Sequence, residues 1–231
     1  GTKAIGNSIL WGTRGRLPSH NGFLFVVAKN GVLERHIELP GSVWSKPVWK
    51  DNSIILVTGD GSILKLDGST YKIQQNYSLG TPGWFYVLQL NNSLFIFLRQ
   101  SDLFWHWEME EESPTLVKLP KKSETIAEPV PGLKEIFVPT NNGLMVISPG
   151  TSPKLISLGK TRLNIPPLFA NSKLHFVGNI ERLIIVDSNN PEKTLTDVKD
   201  EQKRSFVSRP KFGRGLIAAI TRERQILIFT G

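Results

Sequence analysis

The chain has 231 residues and no cysteine, which excludes disulfides, cysteine-containing zinc sites and thiol nucleophiles. Hydrophobic residues make up 39% of it and charged residues 21%, as in a well-packed globular protein and unlike a disordered chain. Its apolar runs fall far short of the ~20 residues that cross a bilayer, and no leader pattern opens it, so no signal peptide is expected in this sequence.

The net charge of +8 is concentrated at the two ends of the chain. Residues 1–50 and residues 199–231 each carry a surplus of five positive charges, whereas the segment between them is slightly acidic. Clustered positive charge attracts anionic partners and speeds their association. The charge distribution therefore makes the chain ends candidates for a binding surface.

An apolar β-type segment recurs along the chain every 39 to 45 residues. Its copies begin near Ser8, Ser53, Ser93, Glu135, Leu174 and Leu216. Two copies lead into tight-turn signals, Gly59-Asp60-Gly61 and Asn141-Asn142-Gly143, and residues of these types tolerate the positive φ of hairpin turns. The recurrence predicts a series of β-hairpins.

Each repeat continues past the turn with a second strand, a polar loop and a third short strand. Three of these stretches align without gaps, at 62–72, 144–154 and 183–193, and prolines open the following units at positions 47, 129, 167 and 210. Four short strands in about 40 residues is the size of a propeller blade. We therefore predict an all-β fold, a β-propeller of about six four-stranded blades; a β-sandwich of irregular hairpins is the alternative.

The predicted propeller is a single domain over residues 1–231. Its blades are expected at 1–41, 42–80, 81–120, 121–160, 161–199 and 200–231. The first blade is expected to start with its second strand at residues 7–11, and the last has only three strand segments. We therefore expect closure by exchange between the N- and C-terminal strands, which would hide two sheet edges; a fragment of a longer propeller is the alternative.

The stretch 31–72, GVLERHIELPGSVWSKPVWKDNSIILVTGDGSILKLDGSTYK, resembles a repeat of the quinoprotein-type, or PQQ-like, β-propellers. The resemblance lies in a strand ending in Leu-Pro-Gly, a Pro-Val step, an apolar strand, Asp-Gly and a Leu-Asp strand. The acidic calcium and quinone ligands of the dehydrogenases cannot be located residue by residue in this sequence. The resemblance thus implies the non-catalytic branch, with scaffold and assembly proteins of the bacterial envelope, and an extracytoplasmic location.

The segment around Trp105 and Trp107 is the most unusual in composition, because two tryptophans precede a run of acidic residues. Strand alternation places both rings on one face of a sheet. Such a pair is a possible aromatic anchor for a sugar or a protein partner. The other interpretation, which we favour, is that the rings pack between blades.

The basic residues near the chain ends are the candidate partner-binding residues. They are Arg14, Arg16, Lys203, Arg204, Arg209, Lys211 and Arg214. Ring closure would place them in one sector. The partner expected for such a sector is another protein with an acidic surface, while anionic lipid and nucleic acid are alternatives without a recognition signature in the sequence.

The sequence favours a non-enzymatic interaction or scaffold module. A lectin-like propeller using the two tryptophans is one alternative. A hydrolase or lyase with Asp60, Asp67 and Asp187 at a central mouth is another, although Asp67 and Asp187 hold equivalent repeat positions where an aspartate commonly forms a turn. The four histidines show no metal-binding spacing, so no metal, cofactor or catalytic residue is predicted.

Overall fold

The computed structural model describes residues 2–5, 8–13, 15–158, 163–171, 173–177, 182–199, 202 and 204–230. In this part of the chain all regular structure is β, apart from one 3₁₀ turn at Pro120–Lys122. The chain divides into two compact units, Gly1–Arg99 with Phe104–Val117 and Gln100–Leu103 with Lys118–Gly231. No helix of the described residues is long and apolar enough to span a membrane.

The first half of the chain forms three four-stranded antiparallel sheets, each built from consecutive strands. The first sheet contains β1 (Thr2–Ile5), β2 (Ser8–Gly12), β3 (Gly22–Ala28) and β4 (Leu33–Leu39). The second contains β5 (Val48–Lys50), β6 (Ser53–Val57), β7 (Ser62–Asp67) and β8 (Ile73–Ser78). The third contains β9 (Phe85–Leu90), β10 (Ser93–Leu98), β11 (Leu103–Glu108) and β12 (Thr115–Lys118).

The second half continues the same meander through three more sheets. The fourth contains β13 (Val130–Pro131), β14 (Ile136–Thr140), β15 (Gly143–Ile147) and β16 (Lys154–Ile156). The fifth contains β17 (Leu168–Ala170), β18 (Lys173–Val177), β19 (Arg182–Asp187) and β20 (Thr194–Lys199). The sixth has three strands, β21 (Lys211–Gly213), β22 (Leu216–Ile220) and β23 (Ile226–Thr230). Each sheet falls inside one expected blade, while the single domain itself stays a prediction.

The hairpin turns form where the sequence places them. The β6–β7 turn contains Gly61 with φ of 90°, a conformation that glycine adopts without the steric cost of a Cβ. The backbone N–H of Gly61 donates to the Thr58 carbonyl at 3.0 Å. In the β14–β15 turn the Thr140 hydroxyl donates to the Gly143 carbonyl at 2.8 Å. These bonds fix the register of both hairpins.

The second and fifth sheets are buried on both faces of a central strand. In β6, Ile54 and Leu56 belong to a core cluster shared with the first sheet, and the alternate residues Ile55 and Val57 are buried on the opposite face. In β19, Ile184 packs in a cluster with the fourth sheet and the adjacent Ile185 in a cluster with the sixth. Side chains alternate between the faces of a strand, so each of these sheets carries two cores.

The first and last sheets are buried on one face only. In β2, Leu10 is buried while Ile9 and Trp11 are exposed. In β22, Ile217 and Ala219 are buried while Leu216 and Ile220 are exposed. We call the exposed side of the first sheet (Ile9, Trp11, Phe23 and Phe25) the first-sheet open face, and that of the last sheet (Leu216, Ile220, Ile226 and Ile228) the last-sheet open face.

The expected strand exchange between the chain ends is wrong for the described residues. The first sheet takes all four strands from residues 2–39, because Thr2–Ile5 pairs with Ser8–Gly12 as a local hairpin. The three strands of the last sheet all come from residues 211–230. A hairpin closes a much shorter loop than pairing across the chain, and short closures cost less entropy.

Candidate functional site

The basic residues predicted near the C-terminus lie in and just before the last sheet. Lys211 and Arg214 are exposed on the β21–β22 hairpin. Arg204 is half-buried and donates through Nη1 to the Gln225 side-chain oxygen at 2.8 Å. The half-buried Arg209 places Nη2 4.0 Å from a carboxylate oxygen of Glu128. The structure therefore brings four of the predicted residues together in one sheet and its approach segment.

Two further arginines, Arg222 and Arg224, extend this group and were not among the predicted site residues. Both are exposed in the β22–β23 turn, on either side of the acidic Glu223. Lys211, Arg214, Arg222 and Arg224 make no ion pair with any other described residue. The signal for them was present in the sequence, since the turn Arg-Glu-Arg links two strands of the terminal repeat. We call these four residues the basic group of the last sheet.

The N-terminal arginines are less well defined. Arg16 is exposed in the loop between β2 and β3, whereas Arg14 and Lys203 lie outside the described residues. Arg16 belongs to the first compact unit and the basic group of the last sheet to the second. A sector shared by the two ends of the chain stays a prediction.

Trp105 and Trp107 do not form an exposed aromatic anchor. Their side chains are 4% and 2% exposed. The Trp107 ring lies 5.0 Å from the Tyr77 ring of the second sheet, and its Nε1–H donates to the Glu111 carbonyl at 3.1 Å. The rings share one face of β11, as predicted, and this face packs against the neighbouring sheet. The two rings therefore pack between sheets and are not an exposed aromatic anchor. A buried tryptophan contributes more apolar area to such packing than any other residue.

The three aspartates considered for catalysis are turn residues. Asp67 accepts hydrogen bonds from the backbone N–H of Thr70 at 2.6 Å, the Thr70 hydroxyl at 2.9 Å and the backbone N–H of Ser69 at 3.0 Å. These bonds hold the pKa of Asp67 below its ordinary value. Asp187 accepts from the N–H of Asn189 at 2.9 Å, and Asp60 accepts from the Thr58 hydroxyl at 2.6 Å. The three carboxylates stabilise three separate turns.

A small cleft between the second and third sheets was not visible in the sequence. Its volume is about 120 Å³, and Lys50, Lys65, Glu110 and Trp107 are among the residues that line it. Pockets for drug-sized ligands typically measure roughly 300–1,000 Å³. The Lys50 ammonium donates to the Asn92 side chain, whose own amide donates to Glu110 at 3.0 Å, so this network bridges the two sheets. The cleft is a gap in the packing between these two sheets that is large enough for a few water molecules.

Metal ligands do not converge among the described residues, where no group of three or more histidine, aspartate or glutamate side chains could hold an ion. His20 and His36 are exposed, and the half-buried His106 stacks on Phe95 with ring centroids 4.7 Å apart. Of His175 only the position in β18 is described. The positions of His20, His36 and His106 fit surface and packing roles.

Two solved structures are similar to the chain in fold. BamB from Moraxella catarrhalis superposes with a TM-score of 0.73 at 10% sequence identity, covering 100% of this chain and 72% of BamB. The computationally designed protein Ika8 superposes with a TM-score of 0.74 at 12% identity, covering 99% of this chain and 70% of Ika8. The chain has the β-propeller fold. At such low identity, the likeness concerns the fold alone.

No protein-family model matches the chain, and no curated protein sequence matches it. The β-propeller expected from the forty-residue repeat is confirmed by the sheets and by the two solved structures. Membership of the quinoprotein-type family, which the residues of 31–72 suggested, stays a prediction. The propeller fold hosts many functions, so the function must be argued from surface residues.

Proposed function

We propose that this protein is a non-enzymatic interaction module that binds an acidic partner protein through the basic group of its last sheet. One observation carries the proposal: four exposed basic side chains, one on a strand of the last sheet and three in its two hairpin turns, make no ion pair with any described residue. Between residues 204 and 230 the only acidic side chain is Glu223. The positive field of this sheet is therefore left for a partner to compensate.

The chemistry of the basic group suits carboxylates. Three of its members are arginines, whose planar guanidinium forms paired hydrogen bonds with a carboxylate. Two of these arginines occupy one hairpin turn, where a partner surface reaches them without moving a strand. Uncompensated surface charge also raises the association rate of a partner of opposite sign.

The fold supports this proposal in a general way. The connections of a propeller meander vary without disturbing the packed sheets, and binding residues concentrate on such connections. Strands β21, β22 and β23 anchor the two short hairpin turns that carry Arg214, Arg222 and Arg224, which lowers the entropy lost on binding. An extracytoplasmic location, favoured by the repeat resemblance, is part of the proposal, as is the absence of catalysis.

The test uses a variant in which the basic group is neutralised, Lys211→Gln with Arg214→Gln, Arg222→Gln and Arg224→Gln. The probe is a fluorescein-labelled poly-glutamate peptide, with binding followed by anisotropy. Each exposed pair contributes up to ~1 kcal/mol, so we expect affinity to fall about tenfold or more, with an unchanged melting temperature. Binding should also weaken as salt is added, because exposed charges are screened.

A charge-matched control removes four exposed lysines outside the last sheet and its turns, Lys46→Gln, Lys72→Gln, Lys118→Gln and Lys134→Gln. It should retain poly-glutamate binding near the wild-type level. Equal losses in both variants would show that net charge alone is responsible and would contradict the proposal. Stronger binding to phosphatidylglycerol vesicles or to single-stranded RNA than to poly-glutamate would also contradict it, in favour of a lipid or nucleic-acid partner.

The contribution of the N-terminal arginines is tested by a second variant, Arg14→Ala with Arg16→Ala. If both chain ends serve one partner surface, this change weakens poly-glutamate binding further when combined with Arg209→Ala and Arg214→Ala. Poly-glutamate binding that Arg14→Ala with Arg16→Ala leaves unchanged, alone and in the combined variant, would leave the last sheet as the binding surface and reject the shared sector.

A further inference from the structure

The cleft between the second and third sheets combines opposite charges with an apolar wall. Its charged lining residues are Lys50, Asp51, Lys65 and Glu110, and the Trp107 ring is part of the apolar wall. All five residues belong to the first compact unit, and Trp107 is fixed in the packing between the two sheets. The cleft is therefore a feature of one compact unit, with a wall that does not have to be assembled when a ligand enters.

Strand register brings Lys65 to the face of the second sheet that packs against the third. Lys65 stands directly opposite Ile55 in the β6–β7 register, and directly paired residues share a face of the sheet. Tyr77 pairs with Ile63, two residues before Lys65, and so lies on the same face, where it contacts the Trp107 ring. The half-buried Lys65 side chain is thus held within the contact between the two sheets.

The four charges of the cleft divide into a paired set and an unpaired set. The Lys50 ammonium lies 3.8 Å from an Asp51 carboxylate oxygen and also donates to the Asn92 side chain. Glu110 accepts a hydrogen bond from the Asn92 amide at 3.0 Å but makes no ion pair with any described residue. Lys65 likewise has no ion pair within the described part of the chain. One cation and one anion therefore line the same cleft without contacting each other.

These charges favour a ligand that is neutral overall and carries both signs. The lining contributes two positive and two negative formal charges, which sum to zero. A simple anion would add negative charge beside Glu110, and a simple cation would add positive charge beside Lys65. Each would leave one group of the cleft without a partner, which costs free energy in a partly buried site. A zwitterion compensates both groups at once.

The size of the cleft limits the ligand to a few non-hydrogen atoms. Its volume is about 120 Å³, and a water molecule occupies ~30 Å³ in the liquid, so the space corresponds to about four waters. The smallest α-amino acids are close to this size and carry an ammonium and a carboxylate on one carbon. A methyl side chain would meet the apolar lining residues Ile55 and Met109.

We propose that the cleft binds a free α-amino acid with a very small side chain, glycine or alanine. Its carboxylate pairs with the Lys65 ammonium and its ammonium with the Glu110 carboxylate, so the ligand bridges the second and third sheets. The proposal goes beyond the acidic partner, because the basic group of the last sheet belongs to the other compact unit and takes no part in this site.

The first test titrates the wild-type chain with glycine and follows the backbone amide shifts by NMR. We expect saturable shifts at Lys65, Trp107 and Glu110 and a dissociation constant of about 1 mM, which is within the limit that so few atoms can provide. Acetate and methylamine each carry only one of the two charges. Each should bind at least about tenfold more weakly, because one charged group of the cleft then lacks its hydrogen-bond partner.

Three results of this titration would overturn the proposal. They are the absence of saturable shifts with glycine, shifts confined to residues outside the cleft, and binding of acetate or methylamine that is as tight as that of glycine. The comparison of the three ligands needs no variant, so it decides the proposal even if a substitution in the cleft prevents folding.

Two variants each remove one charge from the cleft, Lys65→Gln and Glu110→Gln. Each should weaken glycine binding about tenfold or more, because a hydrogen bond between charged groups is lost. Lys72→Gln and Glu112→Gln are the matched controls, since both residues are exposed and lie outside the cleft lining, and each control changes the net charge as its cleft variant does.

Both controls should bind glycine like the wild type, with melting temperatures showing that all four variants are folded. Unchanged binding in either cleft variant, or an equal loss in its control, would contradict the proposal. The variant with the neutralised basic group of the last sheet should also bind glycine like the wild type, so this proposal and the proposed function can fail separately.

Discussion

The first and second sheets each contain a central strand that is apolar at successive positions, but the surroundings of the two strands differ. The apolar run of β6 is buried along its whole length, whereas that of β2 is buried at alternate positions only. The fifth and last sheets differ in the same way, with Ile184 and Ile185 both buried in β19 and Ile220 exposed in β22. Burial therefore depends on whether a neighbouring sheet is present on each side, and not on the apolar content of the strand.

The largest expected difference in unfolding free energy is between two tryptophan-to-alanine variants, one in the third sheet and one in the first. Trp107→Ala removes a ring that is 2% exposed and should cost ~3–5 kcal/mol of unfolding free energy. Trp11→Ala removes a ring that is 55% exposed and should cost less than ~0.5 kcal/mol in dilute monomeric protein. Urea unfolding measures both, and equal losses would show that the first-sheet open face is covered in the monomer.

A second prediction concerns adjacent positions within one strand. In β19, Ile184→Ala and Ile185→Ala should each cost ~2–5 kcal/mol, because the two side chains fill different cores. In β22, Ile217→Ala should cost a similar amount and Ile220→Ala less than ~1 kcal/mol. Thermal unfolding of the four variants checks this, and a large loss for Ile220→Ala would remove the distinction between the two sheets.

The smallest difference is expected for two glycines that share a positive φ. Gly31, in the turn between β3 and β4, has a φ of 86°. No atom lies within 4 Å of the position that a Cβ would take. Gly31→Ala should therefore lower the unfolding free energy only by the ~1–2 kcal/mol that the left-handed conformation costs a residue with a Cβ. Gly61, in the second sheet, has φ of 90°, and a methyl group there would collide with the Thr81 carbonyl oxygen. Gly61→Ala should therefore cost measurably more in urea unfolding; equal costs would mean that the Thr81 loop moves freely.

Much of the fold could be predicted, because the strand and turn signals are local. The Gly59-Asp60-Gly61 and Asn141-Asn142-Gly143 turns occur between the expected strands. Prolines 47, 129, 167 and 210 stand just before the first strand of the second, fourth, fifth and sixth sheets. The strand Thr2–Ile5 was missed, because four residues with one charged side chain show no clear alternation.

The candidate site was harder to predict, because the exposure of a side chain depends on residues that are distant in the chain. Trp105 and Trp107 were assigned to the correct strand and the same face, but their burial depends on the second sheet, which contributes Tyr77. Arg222 and Arg224 could have been added to the site from their position in a terminal hairpin turn. The cleft at Lys50 and Lys65 had no signal, since residues from two separate repeats form it.

The sequence by itself determined the β class, the forty-residue repeat, the positions of two hairpin turns and the positive charge at both ends. These features follow from alternation, turn chemistry and composition, which act between residues close in the chain. Only the tertiary structure decided which apolar face of each sheet is covered and which arginines lack an ion pair. Both outcomes depend on contacts between distant segments, and burial of a face requires a second sheet that the local pattern of the first cannot specify.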